Sequence, residues 1–248
     1  MSFEELQRIN PDVKAWITLY GTGVDFPVLY SKEQNNYLFR DAKGQRSMVG
    51  SIFMDSNCSP DFSDYSTILF GHNMEAHAMF GDLSQYRDKA FFNSHEHGNL
   101  FFNGQNHGLT VLGHIKTQEG DPSVYRTKIY GADNQWAYYN GLRAKSSNWR
   151  STAYELSQNL VILSTCSSET TEGRTILVTA MTDEVFDNPF GEIANTGIGV
   201  EDLKGLFGFP WVGWFAALVV IIMLIVFVLW QIDKKRKEKF KVYSEGNY

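Results

Sequence analysis

Along most of the chain, apolar stretches of five to nine residues alternate with polar turns marked by glycine, proline, asparagine or aspartate. Eight stretches read as strands: 13–20, 24–30, 47–55, 65–72, 109–116, 126–130, 160–165 and 174–181. The first, Val-Lys-Ala-Trp-Ile-Thr-Leu-Tyr, alternates with period two and predicts a half-buried strand. By contrast, 160–165 (Leu-Val-Ile-Leu-Ser-Thr) is a run consistent with burial on both faces. Gly21-Thr22-Gly23 reads as a hairpin connection. Helical character is local, at 79–86, 89–94 and 133–146, with a helical entry at the N-terminus that Asn10-Pro11 ends. Strands without regular alternation with helices predict a mainly β fold: an antiparallel or mixed barrel of eight strands with short helices in the connections.

The pattern changes near the C-terminus. Trp211 to Trp230 is twenty residues without a charge, about 30 Å as a helix and so the thickness of a bilayer core. Trp211, Trp214 and Trp230 stand where interfacial aromatics belong. Asp-Lys-Lys-Arg-Lys-Glu-Lys-Phe-Lys follows at once, which predicts a cytoplasmic C-terminus and an extracellular N-terminal domain on a single-pass protein of the cell membrane. The expected organisation is a folded domain over 1–182, a polar, glycine-containing stalk over 183–210, a transmembrane helix over 211–230 and a basic tail over 231–248. A domain outside the cell must be exported, and residues 1–17 lack a basic-then-apolar leader, so either an N-terminal segment has been removed, which is the favoured expectation, or the topology is inverted.

Charge then narrows the partners. Six basic and three acidic residues fall in 231–248, so the rest of this −6 chain carries −9. Nucleic-acid binding needs clustered Lys and Arg and is not expected of such a domain. The two cysteines, Cys58 and Cys166, make no disulfide framework. Cys58 lies in a turn-rich segment and is assigned no role.

Cys166 is different because of what surrounds it. It ends the apolar run 160–165, and seven polar residues lead back to Arg174 at the start of the next run. If these runs pair as antiparallel strands, a thiol and a guanidinium share one rim. A cation there favours the nucleophilic thiolate and can face the oxyanion that forms on attack at a carbonyl. Proton transfer needs a third group. His72 also follows a buried-type run, Ser-Thr-Ile-Leu-Phe-Gly, and is the candidate acid/base among the six histidines. Taken singly, each residue is ordinary: a cysteine after an apolar run is commonly a small core residue, and an arginine commonly pairs on the surface. A zinc site from His72, His77, His95, His97, His107 and His114 lacks recognised ligand spacings, and His95 and His97 read as part of a polar surface loop. No metal and no cofactor are expected.

The segments Ile-Leu-Phe-Gly-His-Asn-Met-Glu-Ala-His-Ala-Met-Phe-Gly-Asp-Leu and Leu-Val-Ile-Leu-Ser-Thr-Cys-Ser-Ser-Glu-Thr-Thr-Glu-Gly-Arg resemble the signatures of the sortases, cysteine transpeptidases of Gram-positive cell surfaces. Leu-Ser-Thr-Cys matches the family's cysteine box, and Gly-His-Asn-Met, Met-Phe-Gly-Asp-Leu, Ile-Asn-Pro-Asp-Val-Lys-Ala-Trp-Ile and Gly-Ser-Ile-Phe-Met-Asp are similar to class B members. The resemblance spans residues 8–182 and implies the eight-stranded sortase β-barrel. It implies Cys166 as nucleophile, His72 as acid/base, Arg174 as the transition-state or substrate-positioning cation, and Ser164 and Thr165 as lining the substrate groove. It further implies cleavage of a C-terminal sorting signal on a surface protein or pilin, a thioacyl-enzyme, and transfer to an amine of a peptidoglycan precursor or a pilin lysine. A C-terminal membrane span is the pattern of pilus-assembling sortases rather than of the commoner class B form. The competing readings are a membrane-tethered cysteine protease, which would release a free carboxylate, and a non-enzymatic cell-surface binding module.

Overall fold

A computed structural model describes residues 2–74, 77–151, 158–166 and 173–191. The predicted span Trp211–Trp230, the basic tail and the stalk beyond 191 lie outside these residues. No helix among the described residues is long and apolar enough to cross a membrane.

The chain enters through helix α1 (Phe3–Ile9), capped reciprocally by Ser2 and Glu5: the Glu5 amide donates to Ser2 Oγ and the Ser2 amide to Glu5 Oε2. Asn10, before Pro11, takes extended backbone and ends the helix. Nine strands follow among the described residues: β1 (Val13–Leu19), β2 (Asp25–Leu29), β3 (Ile52–Met54), β4 (Ser66–Phe70), β5 (His97–Phe102), β6 (Gln105–Gln118), β7 (Ser146–Trp149), β8 (Leu160–Cys166) and β9 (Gly173–Thr182). Between them lie a 3-10 helix (Gly81–Arg87), α2 (Lys89–Ser94) and α3 (Ala132–Lys145).

Their order is β5-β1-β2-β3-β4-β8-β9-β6-β7, and a further β5–β6 pairing joins the ends. Eight strands therefore close into a barrel, while β7 flanks it on β6. Closure removes the unpaired edges that an open sheet would present. The barrel is mixed: β2–β3 and β4–β8 are parallel and the other ladders antiparallel.

The eight-strand count agrees with the sequence, but its membership differs. Residues 126–130 form no strand; Ile129 is buried, Lys128 pairs with Asp64, and the Ile129 amide turns back to the Thr127 carbonyl. Apolar content without a neighbouring backbone to pair with makes a packed loop rather than a strand. The missing eighth strand is β5, which begins at His97 in the stretch read as a polar loop. Its burial alternates residue by residue. Asn103 and Gly104, with φ of 49° and 76°, join it to β6 through a tight hairpin that needs two positive φ values. That Asn-Gly pair was the available signal. The helix expected at 79–86 is the 3-10 helix, displaced by two residues at its start.

Besides β7, strand β6 pairs with β5 over its first half and with β9 over nearly all its length. A register shift between Val111 and Gly113 bends it enough to do so. The bend presses Gly113 against Trp149, where an added Cβ would lie 2.3 Å from the ring. The core fills the barrel with Ile17, Leu19, Ile68, Leu100, Leu109, Ile162 and Ile176, and Phe62 and Phe80 pack into the same cluster. Residues 183–191, within the predicted stalk, lie against the barrel: Phe186 stacks on His97, Phe190 stacks on His95, and the Tyr20 hydroxyl donates to the Phe186 carbonyl.

His114 on β6 is fully buried, its Nδ1 paired with the Ser147 hydroxyl at 2.7 Å. Burial, with Lys116 and Arg87 adding to it, pushes its pKa from 6.5 down to about 4. The folded state then binds fewer protons than the unfolded chain between these values. Stability should be full above pH about 6.5 and fall by up to about 3 kcal/mol as pH drops towards about 4. Urea unfolding across this range should show that slope in the wild type and a flatter one in His114→Leu. Gly113→Ala should cost about 1–3 kcal/mol by the same assay, because Trp149 cannot yield without disturbing the β6–β7 ladder.

Candidate active site

Strands β4 and β8 run parallel with Ser66 opposite Leu160 and Phe70 opposite Ser164. Both are buried and mainly apolar, as expected of strands that lie between two others and are covered on both faces. The Gly71 amide donates to the Ser164 carbonyl at 3.1 Å, carrying the pairing one residue beyond β4. His72 is the next residue. Cys166 ends β8 at the same rim, with its backbone opposite Arg174 on antiparallel β9. Three candidate positions, His72 far from the other two in the chain, are thus adjacent in backbone at one edge of the barrel.

His72 is held from two sides. Its Nε2 lies 2.9 Å from the Leu38 carbonyl oxygen, and Phe39 stands beside the ring at a centroid distance of 6.0 Å. A carbonyl can only accept, so Nε2 carries the hydrogen and, in the neutral ring, Nδ1 carries the basic lone pair. The His72 carbonyl accepts from the Phe80 amide, and Asn73 bridges Met79. Below this loop the buried carboxylate of Asp82 accepts from the Gly23 amide at 2.7 Å, from His77 at 2.6 Å and from Gln85. Asp82 therefore ties the loop after His72 to the turn between β1 and β2.

Arg174 is largely buried at 16% side-chain exposure; its Nη1 donates to the Gly173 carbonyl and its Nη2 to Glu119 Oε2 at 2.6 Å. Ser164 and Thr165, expected to line the groove, are both buried. Ser164 shares a 2.8 Å hydrogen bond with the Tyr125 hydroxyl, and Tyr125 stacks on Phe70. Burial raises the Tyr125 hydroxyl above its ordinary pKa, with the Ser164 bond and the Arg174 charge opposing it, so the phenol stays protonated at neutral pH. Thr165 Oγ1 has no hydrogen-bond partner among the described residues.

Two residues here were not singled out by sequence: Tyr125 and Glu119. Both lie in the loop after β6, whose pin is Asp121. Its carboxylate accepts from Thr117, Ser123 and Lys145, and these contacts, Lys145 foremost, hold it well below the usual carboxylate range. The Asp-Pro-Ser tripeptide at 121–123 is a turn signal that pointed to this loop, though not to its neighbours.

Cys58 is a buried free thiol whose sulfur accepts from the Ile68 amide, and burial pushes its pKa up to about 12. It belongs to the core rather than to a surface turn. Among the described residues no group of three or more His, Cys, Asp or Glu side chains could hold a metal. His95 and His97, the pair weighed as ligands, instead stack on aromatic rings.

No protein-family model matches the chain. It is 31% identical over 176 residues to the Sortase B of Staphylococcus aureus, covering 68% of this chain and 70% of that protein. With the Sortase B of Listeria monocytogenes it shares 41% identity over 91 residues, only 37% of either chain. Its fold is similar to the crystal structure of Clostridium perfringens sortase B, with a TM-score of 0.69 at 27% identity, over 73% of this chain and all of that one. A sortase B from the type II pilus of Streptococcus pneumoniae matches with a TM-score of 0.65 at 33% identity, over 74% and 100%. A substrate complex of the Staphylococcus aureus enzyme matches at 0.66 and 28%, over 72% and 83%. The closed eight-stranded barrel, the rim where its strands converge and these likenesses lead to one conclusion: the chain belongs to the sortase B family of cysteine transpeptidases.

Proposed function

We propose that the protein cleaves a C-terminal sorting signal and transfers the released acyl group to an amine, with Cys166, His72 and Arg174 carrying the chemistry. The observation behind this reading is the register of β4, β8 and β9, which brings the three backbones to one rim. The Cys166 thiolate attacks a backbone carbonyl of the signal. The C–N bond breaks, His72 protonates the departing amine, and a thioester remains. An incoming amine, deprotonated by His72, then attacks the thioester, forms an amide and returns the thiolate. Arg174 offsets negative charge on the carbonyl oxygen in both steps. The thioester conserves the acyl group's reactivity, so the cycle needs no nucleotide. Ser164 and Thr165 support the groove wall beside the nucleophile, Ser164 through Tyr125.

The domain over 1–182 is read as the catalytic unit outside the cell, with 183–210 leading to a membrane helix over 211–230 and a cytoplasmic tail over 231–248. The acceptor is read as a pilin lysine, with a peptidoglycan precursor amine as the alternative. The C-terminal apolar stretch and the likeness to a pilus sortase from Streptococcus pneumoniae favour the pilin. Binding of a peptide substrate is supported by the substrate complex of the Staphylococcus aureus relative.

Intact-mass analysis of the enzyme with a library of candidate sorting peptides tests the reading. A thioacyl adduct on Cys166 is expected, identifying the preferred peptide; Cys166→Ala should give no adduct at all. His72→Ala should slow adduct formation by about 10²–10⁴-fold. An adduct that forms equally well without Cys166 would overturn the assignment. With a lysine-bearing pilin peptide present, the product should be an amide. Free carboxylate alone would mark a protease, and transfer only to a peptidoglycan amine would mark a wall-anchoring enzyme.

A further inference from the structure

Arg174 is not left to find its own orientation. Its Nη1 is tied to the carbonyl of its neighbour Gly173, and its Nη2 to Glu119 at 2.6 Å. An ion pair whose carboxylate is 65% exposed ordinarily contributes little to stability. Here, however, the pair is built on a fixed base. Glu119 directly follows β6, at a turn completed by Gly120 with φ of 70°. Asp121 closes that turn through Thr117, Ser123 and Lys145. Thr117 is itself the β6 residue opposite Arg174. The same loop delivers Tyr125 to Ser164, two residues before Cys166.

Arg174 is thus bracketed: β8 on one side, β6 on the other, and across its outer end a loop with two contacts. Glu119 reaches the guanidinium, and Tyr125 reaches the strand that carries Cys166. A guanidinium presents five donors in a rigid plane. Engaging two of its nitrogens fixes that plane and leaves the remaining donors for an incoming carbonyl oxygen. A free guanidinium would have to give up rotamer freedom at the transition state instead.

We propose that Glu119 is a positioning residue for transpeptidation, acting through Arg174, with Asp121 fixing the loop from which it acts. This rests on the reading of Arg174 given above. Because Glu119 would orient the cation rather than touch the substrate, its loss should lower kcat and leave KM nearly unchanged.

The test uses the full chain with the peptide that forms the thioacyl adduct, and follows acylation in wild type, Glu119→Gln, Glu119→Asp, Arg174→Lys and the Glu119→Gln/Arg174→Lys double variant. Glu119→Gln should reduce kcat about tenfold, the loss of one charge-assisted contact, with KM within about twofold. Glu119→Asp should recover part of the rate by restoring the charge. In the Arg174→Lys background, Glu119→Gln should change kcat by less than about twofold, since its target is gone. Unchanged kcat in Glu119→Gln, or an equal loss in both backgrounds, would overturn the positioning role while leaving Arg174 in place. Wild-type activity in Arg174→Lys would instead remove the reading of Arg174 itself, and the role of Glu119 with it.

Discussion

The protein depends on a register. Parallel pairing of β4 with β8, and antiparallel pairing of β8 with β9, puts Phe70, Ser164 and Ile176 at one level and Cys166 opposite Arg174 just beyond. A shift of either ladder by one residue would reverse which side chains face the core and would separate the candidate positions. The burial of β4 and β8, apolar but for the hydroxyls of Ser66, Thr67, Ser164 and Thr165, follows from the same constraint, because strands in the middle of the sheet have neighbours on both sides and cover on both faces. The stability of the barrel and the placement of the candidate positions therefore rest on the same two strands.

Closing the barrel sets the second requirement. One strand has to turn between β5 and β9, and β6 does this with an irregularity beside Gly113 rather than with a break. The buried imidazole of His114 comes next to that bend, where one ring nitrogen is satisfied by Ser147 and the other has no partner among the described residues. A neutral histidine is tolerable in such a place, whereas a charged one is not.

Two carboxylates organise the loops at the rim. Asp82 gathers an amide, an imidazole and a carboxamide beneath the loop after His72. Asp121 gathers two hydroxyls and an ammonium beneath the loop after β6. Each carboxylate spends its lone pairs on donors from different parts of the chain, which holds irregular backbone in one conformation without regular secondary structure. The loops so held carry His72 on one side of the rim and Glu119 and Tyr125 on the other.

Local patterns in the chain were sufficient for the strands with strong apolar runs, for the helix at 133–146 and for the short one at 89–94, because strand period and helix propensity are local properties. They were also sufficient to single out Cys166, His72 and Arg174 by their positions after or before such runs. Residues 126–130 and 97–102 were misread for one reason: whether an apolar stretch becomes a strand depends on whether a partner strand lies beside it, and that partner is distant in sequence. Likewise, nothing near Glu119 or Tyr125 in the chain announces Arg174 or Ser164, which lie 55 and 39 residues away. The sequence by itself determined the strand-rich composition, the family signature and the candidate nucleophile, base and cation. Only the tertiary structure decided which strands close the barrel, which oxygen holds the His72 ring and which carboxylate meets the guanidinium, because each is a contact between segments brought together by folding alone.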